Sequence, residues 1–396
     1  MTDEEKVGRL RELLPATGAG IYLDTAYRGP LPAETAAAMR DAEDWELRVG
    51  RATEGRAQDA AQRRSEARAV IAALVGGDPA DISLTTGDEQ ALAIAAWAVD
   101  WKPGDRALTL LTASDAILAA LAGVQARLGV ELDLVDEASA TAIRDATTPR
   151  TKLVALPHVA PDTGALLPIA EIFRALAETG AWLALDASLS AGAVPMDATD
   201  LGADFIAMAG DRWLLGPEDM GALWVGARPR ADGHAAFSGS GAFETLHGSI
   251  ARQWPDARRL EPGGLPRTSV LGLARSIGWL EMFIGLDWIY ERGSRLARRL
   301  RDTLVARQGV EVLTPADAMA TIVAFRLVGW PTEEALDELR RRSFAILGPT
   351  AGGEAVRASV AWFNTEEELD RFAAAVAELG RHTPESLPRR PPLIVR

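Results

Sequence analysis

From Ile82 onward, short apolar runs alternate with stretches of helical spacing. Strand-like runs lie at 82–85 (ISLT), 107–111 (ALTLL), 131–135 (ELDLV), 152–156 (KLVAL), 182–186 (WLALD), 204–209 (DFIAMA) and 222–226 (ALWVG). Helical patterns fill most gaps, notably 89–99, 115–128 and 168–179. Apolar runs this short, bounded by small residues, suit strands buried on both faces of a parallel sheet. The alternation predicts an α/β fold with a mainly parallel seven-stranded sheet. Ahead of it, residues 34–73 read as one long helix rich in Arg and Glu, a solvated face.

The pattern changes after Gly264. Residues 268–307 form one long helical run. Then 310–315, 320–328 and 355–363 read as strands, with helices at 332–342 and 365–379. This predicts a small α+β unit. The divisions that follow are a large domain over 20–265, a small domain made of 1–19 and 266–382 and joined by the long helix, and a Pro-rich tail over 383–396.

Composition narrows the function. The 396 residues carry a net charge of −14, which argues against nucleic-acid or anionic-membrane binding. No apolar run approaches the ~20 residues that span a bilayer, and no secretory signal is visible, so a cytoplasmic location is expected. Without any Cys, disulfides, thiolate catalysis and persulfide chemistry are excluded. The eleven Trp residues pack a core or narrow a pocket.

Ligands of open α/β sheets collect at the carboxyl ends of the strands. The run 182–186 ends in Asp186, and the run 204–209 leads through Gly210 to Asp211 and Arg212. This stretch resembles the class V aminotransferase and cysteine desulfurase family, fold-type I enzymes that use pyridoxal phosphate (PLP). Tyr22-Leu23-Asp24-Thr25-Ala26 is similar to that family's Tyr-Leu-Asp-Asn-Ala motif, and Val356-Arg357-Ala358-Ser359 with Phe363-Asn364-Thr365 to its Arg-x-Ser…Tyr-Asn-Thr ending. The resemblance implies a fold-type I large domain, a small carboxy-terminal domain and a homodimer crossed by the 231–268 segment.

The same resemblance defines what differs. Asp186 matches the acid that pairs with the pyridine nitrogen. Arg212 stands where the family has the lysine that carries PLP, and a guanidinium cannot replace that amine. Lys6, Lys102 and Lys152, the only lysines, lie away from the ligand edge. In the phosphate turn, Asp88 and Glu89 replace hydroxyl residues, or else serve as first-turn acids of a helix. The stacking loop reads Thr112-Ala113-Ser114 and lacks an aromatic group. His158 is either catalytic or a structural residue. Arg212 has the alternative of an ion pair with Asp186 or Asp211. Arg357 matches the residue that holds a substrate carboxylate.

These residues predict a protein without covalently bound PLP, holding it at most non-covalently. The main expectation is a PLP-independent enzyme that uses Arg212, Asp186, Asp211 and His158 for acid–base work. Its ligand is a small carboxylate bound by Arg357, Asp88, Glu89 and Ser114, and no metal is involved. The alternatives are a non-catalytic binding or regulatory subunit of an active homologue, and an enzyme using non-covalent PLP.

Overall fold

The computed structural model describes residues 2–388, so the end of the Pro-rich tail, 389–396, lies outside the described residues. Seven strands form the main sheet: β1 (Ile82–Thr85), β2 (Arg106–Leu110), β3 (Glu131–Val135), β4 (Thr151–Pro157), β5 (Trp182–Asp186), β6 (Phe205–Ala209) and β7 (Gly221–Val225). Their spatial order is β1-β7-β6-β5-β4-β2-β3, and only β7 runs antiparallel to its neighbours. Each apolar run of the sequence supplies one strand. Strands β6 and β7 are buried along their whole length, because helices cover both faces. Register aligns Asp186 with Pro157 on one side and Ala207 on the other, which sets the ends of β4, β5 and β6 together at one edge.

A second sheet holds β8 (Val310–Val312), β9 (Ile322–Leu327), β10 (Gly348–Pro349) and β11 (Val356–Ser359), all antiparallel, in the order β8-β9-β11-β10. Leu296, Leu300, Leu336, Leu339, Phe372 and Val376 from three helices fill the core beneath it. The amino-terminal helix Asp3–Glu12 is tied here by Arg11, which bonds the Glu368 carboxylate at 2.7 Å and the Phe363 carbonyl at 2.9 Å.

Two long helices of the sequence reading are broken. The 34–73 run is divided into Ala33–Val49 and Arg56–Leu74, with Gly50 and Gly55 both at positive φ between them. The 268–307 run consists of Arg267–Gly278, a π-helical turn Trp279–Ile284 and Leu286–Val305. Gly285, at φ 95°, lies at the bend of 84° between Arg267–Ile284, taken as one helix, and Leu286–Val305. The halves pack differently: Arg267–Gly278 sends Val270, Leu273 and Ile277 into the main-sheet core, while Leu286–Val305 sends Leu296 and Leu300 beneath the second sheet. Glycine at each break supplies a conformation that other residues adopt at a cost. Among the described residues no single helix is long and apolar enough to cross a membrane.

The tryptophans divide between these cores. Trp213, Trp224, Trp279 and Trp362 are buried, and Trp279, Trp288 and Trp362 form one aromatic cluster with Phe363.

Candidate active site

Five residues make one continuous hydrogen-bonded chain at the carboxyl edge of the main sheet, with Ser188 joined through both its amide and its hydroxyl. It begins at Ser114, the N-cap of helix Asp115–Leu128, whose hydroxyl donates to Asp186 Oδ2 at 2.6 Å. Asp186 closes β5 and is buried. Its other oxygen, Oδ1, accepts the Ser188 amide at 2.9 Å. The Ser188 hydroxyl accepts from Arg212 Nη1 at 2.6 Å, and Arg212 Nη2 donates to Asp88 Oδ2 at 3.0 Å. Asp88 opens helix Asp88–Trp97 directly after β1. The structure thus brings together Ser114, Asp186, Arg212 and Asp88. The ion pair expected between Arg212 and either Asp186 or Asp211 forms with Asp88 instead.

Ser188 went unmarked in the sequence. A serine two positions beyond a strand end is unremarkable until the turn Ala187–Ala191 points its amide back at Asp186 and its hydroxyl at position 212.

The remaining candidates lie beside this chain. Asp211 faces Arg28, Oδ2 to Nε at 3.1 Å, while its carbonyl accepts the Gly29 amide at 2.7 Å. Gly29 is needed there: a Cβ would lie 2.1 Å from the Arg212 carbonyl oxygen. His158 follows β4, and its amide donates to the Asp186 carbonyl at 2.9 Å, but its ring is buried and shares a hydrogen bond of 3.0 Å with Ser190. Glu89 is exposed. Arg357, on β11, donates to Asp24 Oδ1 at 2.9 Å. Among the described residues no group of three or more acidic, His or Cys side chains is placed to hold a metal ion.

Burial dominates the electrostatics. It raises the Asp88 carboxyl above its ordinary value, outweighing the opposing pull of Arg212, and neighbouring Asp186 and Asp211 add to the rise. Burial likewise raises Asp211 against Arg28 and Arg212. It lowers His158 to about 4, so this imidazole is neutral at physiological pH.

The residues fit PLP at both ends of that molecule. Asp186 is a fixed, buried carboxylate of the kind a pyridine nitrogen requires. At the other end, helix Asp88–Trp97 has Gly87 at its N-cap and no side chain capping its first-turn amides. Such an end receives anions. Arg212 adds a cation beside it, with a buried Nε that has no hydrogen-bond partner. Of the two acids at this helix end, Glu89 is exposed, and Asp88 is paired with Arg212, whose charge it largely offsets.

The chain belongs to the aminotransferase class-V family, whose sequence profile matches residues 21–372. It is 30% identical over 345 residues to isopenicillin N epimerase of Streptomyces clavuligerus, covering 79% of this chain and 84% of that protein. It is 24% identical over 394 residues to a probable cysteine desulfurase of Methanothermobacter thermautotrophicus, covering 93% and 97%. Among solved structures, a lysine-to-alanine mutant of C-DES, with glycine covalently linked to its PLP cofactor, superposes with a TM-score of 0.87 at 22% identity, covering 93% of this chain and 98% of that one.

That neighbour corrects the expectation that PLP is absent here or at most non-covalent. The mutant C-DES, with a lysine changed to alanine, still holds PLP, and the covalent partner is an amino acid. The reason is chemical: the cofactor's aldehyde condenses with a primary amine, and a substrate amino acid brings one of its own. The absence of a lysine at that position therefore does not by itself exclude PLP.

Proposed function

We propose that this chain is a PLP-dependent class V enzyme acting at the α-carbon of an amino acid, with Arg212 in the lysine position and the substrate supplying the amine. One observation carries the reading: Asp186 is held as a buried carboxylate at the end of β5 by Ser114 and Ser188, an arrangement that suits a protonated ring nitrogen. Bound there, PLP supplies an electron sink that stabilises negative charge developing at the substrate α-carbon.

The chain's own residues do the rest. Asp186 keeps a proton on the ring nitrogen. The uncapped amides of helix Asp88–Trp97 and the Arg212 guanidinium would receive the phosphate. Arg212 stays protonated and contributes charge and hydrogen bonds, so a proton leaving the substrate α-carbon would pass to solvent at the site and not to position 212. Arg357 is the carboxylate-binding residue for the substrate. With no cysteine to take sulfur, transamination or epimerisation fits better than desulfuration.

The exposed apolar side chains Phe237, Leu246 and Ile250 lie in the 231–268 segment and suit contact with a second copy in a homodimer. Light scattering that reads a monomer at micromolar concentration speaks against that contact. The activity itself is tested by incubating the protein with PLP and a panel of amino acids, then separating keto acids and enantiomers by chromatography. Turnover of an amino acid supports the reading. No product from any member of the panel, in a protein that binds PLP, rejects it.

A further inference from the structure

The turn Asp24–Gly29 joins the two sheets at the site. At one end, Asp24 Oδ1 accepts from Arg357 Nη2 at 2.9 Å, and Asp24 bridges to Ser359 of β11. At the other end, Arg28 pairs with Asp211 and the Gly29 amide bonds the Asp211 carbonyl. Both Asp24 and Arg357 are largely buried. Gly348 of β10 closes over the pair, since a Cβ there would lie 3.3 Å from Asp24 Oδ2.

Two features mark this pair as something other than a finished structural link. Only Nη2 of Arg357 is hydrogen-bonded to Asp24, and its Nε is buried with no partner. A guanidinium fork binds a carboxylate most strongly through two parallel bonds, so Arg357 has unused capacity. Asp24, for its part, is poorly stabilised as an anion. Burial raises its carboxyl above the ordinary range even though Arg357, and Arg340 from helix Thr332–Ser343, both pull it down. Tyr22, two residues earlier, is the other titratable group that feels its charge.

We propose that Asp24 is an internal carboxylate that occupies Arg357 in the resting chain and yields it to the carboxylate of the incoming amino acid. The proposal rests on the reading of Arg357 as the substrate's carboxylate partner, and it makes that binding an exchange. The charge balance follows: the ligand's carboxylate takes the guanidinium, and Asp24, buried without that counter-charge, takes up a proton. A neutral molecule of the same shape has no means of displacing Asp24, which makes the exchange a filter for carboxylates.

The test uses the full chain without added PLP, so its outcome is independent of cofactor retention. Acetate and glycine are titrated calorimetrically near neutral pH in two buffers of different ionisation enthalpy. The expected result is net proton uptake on binding. Asp24→Asn should bind about tenfold more tightly, because no internal anion competes, and without proton uptake. Binding by the native chain with no proton uptake overturns the proposal, and that measurement needs no variant. Equal or weaker binding by a folded Asp24→Asn also overturns it, as does the absence of acetate and glycine binding in both proteins. Normal PLP retention alongside any of these results leaves the cofactor reading standing and rejects the exchange alone.

Discussion

Arg212 and Asp88 meet at 3.0 Å across the carboxyl edge of the sheet, one delivered by the loop after β6 and the other by the helix after β1. The proposed alignment sets Arg212 where the class V family carries an amine. Here that position carries a fixed cation, and the carboxylate beside it keeps the local charge balanced.

Removing the cation should therefore cost stability. Arg212→Ala leaves Asp88 buried and unpaired, and is expected to lower the unfolding free energy by ~3 kcal/mol at neutral pH, measured by denaturant titration. The loss should shrink on acidification, because burial already raises the Asp88 carboxyl and a proton restores neutrality. Replacing both partners, Arg212→Leu with Asp88→Leu, should recover most of it. A single variant as stable as the parent would show that the pair contributes nothing.

On the proposed alignment, Arg212→Lys puts an amine at the place where the family uses one. After incubation with PLP and borohydride reduction, mass spectrometry should find a pyridoxyl group at position 212 in the variant and at no specific residue in the parent. An adduct on Lys6, Lys102 or Lys152 in the parent would contradict the placement of the site.

His158 gives a pH signature. Its folded-state value is about 4 against an ordinary 6.5. The stability it contributes is present above 6.5 and is lost as pH falls toward 4, a change of ~3 kcal/mol. Asp24, Asp88, Asp204 and Asp211 are raised by burial and act in the opposite sense: their contribution is present below the ordinary carboxylate range and is lost as pH rises. Comparison with His158→Gln cancels the carboxylates. The parent should lose more stability than the variant between pH 6.5 and 4, and parallel curves would refute the assignment.

Asp186 was legible in the sequence because an apolar run that ends in one acid leaves little choice about where that acid lies. The seven strands were legible for the same reason. The breaks at Gly50–Gly55 and Gly285 are not legible, since helix-forming residues lie on both sides of each and only the positive φ of the glycines marks the turn. Ser188 was invisible because its role depends on a turn, not on a pattern. The Asp24–Arg357 pair joins residues 333 positions apart, and only the packing of the Asp24–Gly29 turn against β11 reveals it. Reading a lost lysine as a lost cofactor fails for a different reason: it treats retention as the property of one amine, whereas the proposed reading shares that task among Asp186, the helix amides and the substrate's amine.

PLP affinity of the parent and of Asp186→Ala, measured by equilibrium dialysis with and without glycine, tests the central claim most directly. The account predicts that the parent retains PLP, that glycine tightens retention, and that Asp186→Ala weakens it at least about tenfold, since a charged hydrogen bond of ~1.5–3 kcal/mol is removed. A parent that retains no PLP even with glycine, or an Asp186→Ala variant that retains it as well as the parent, would contradict the account.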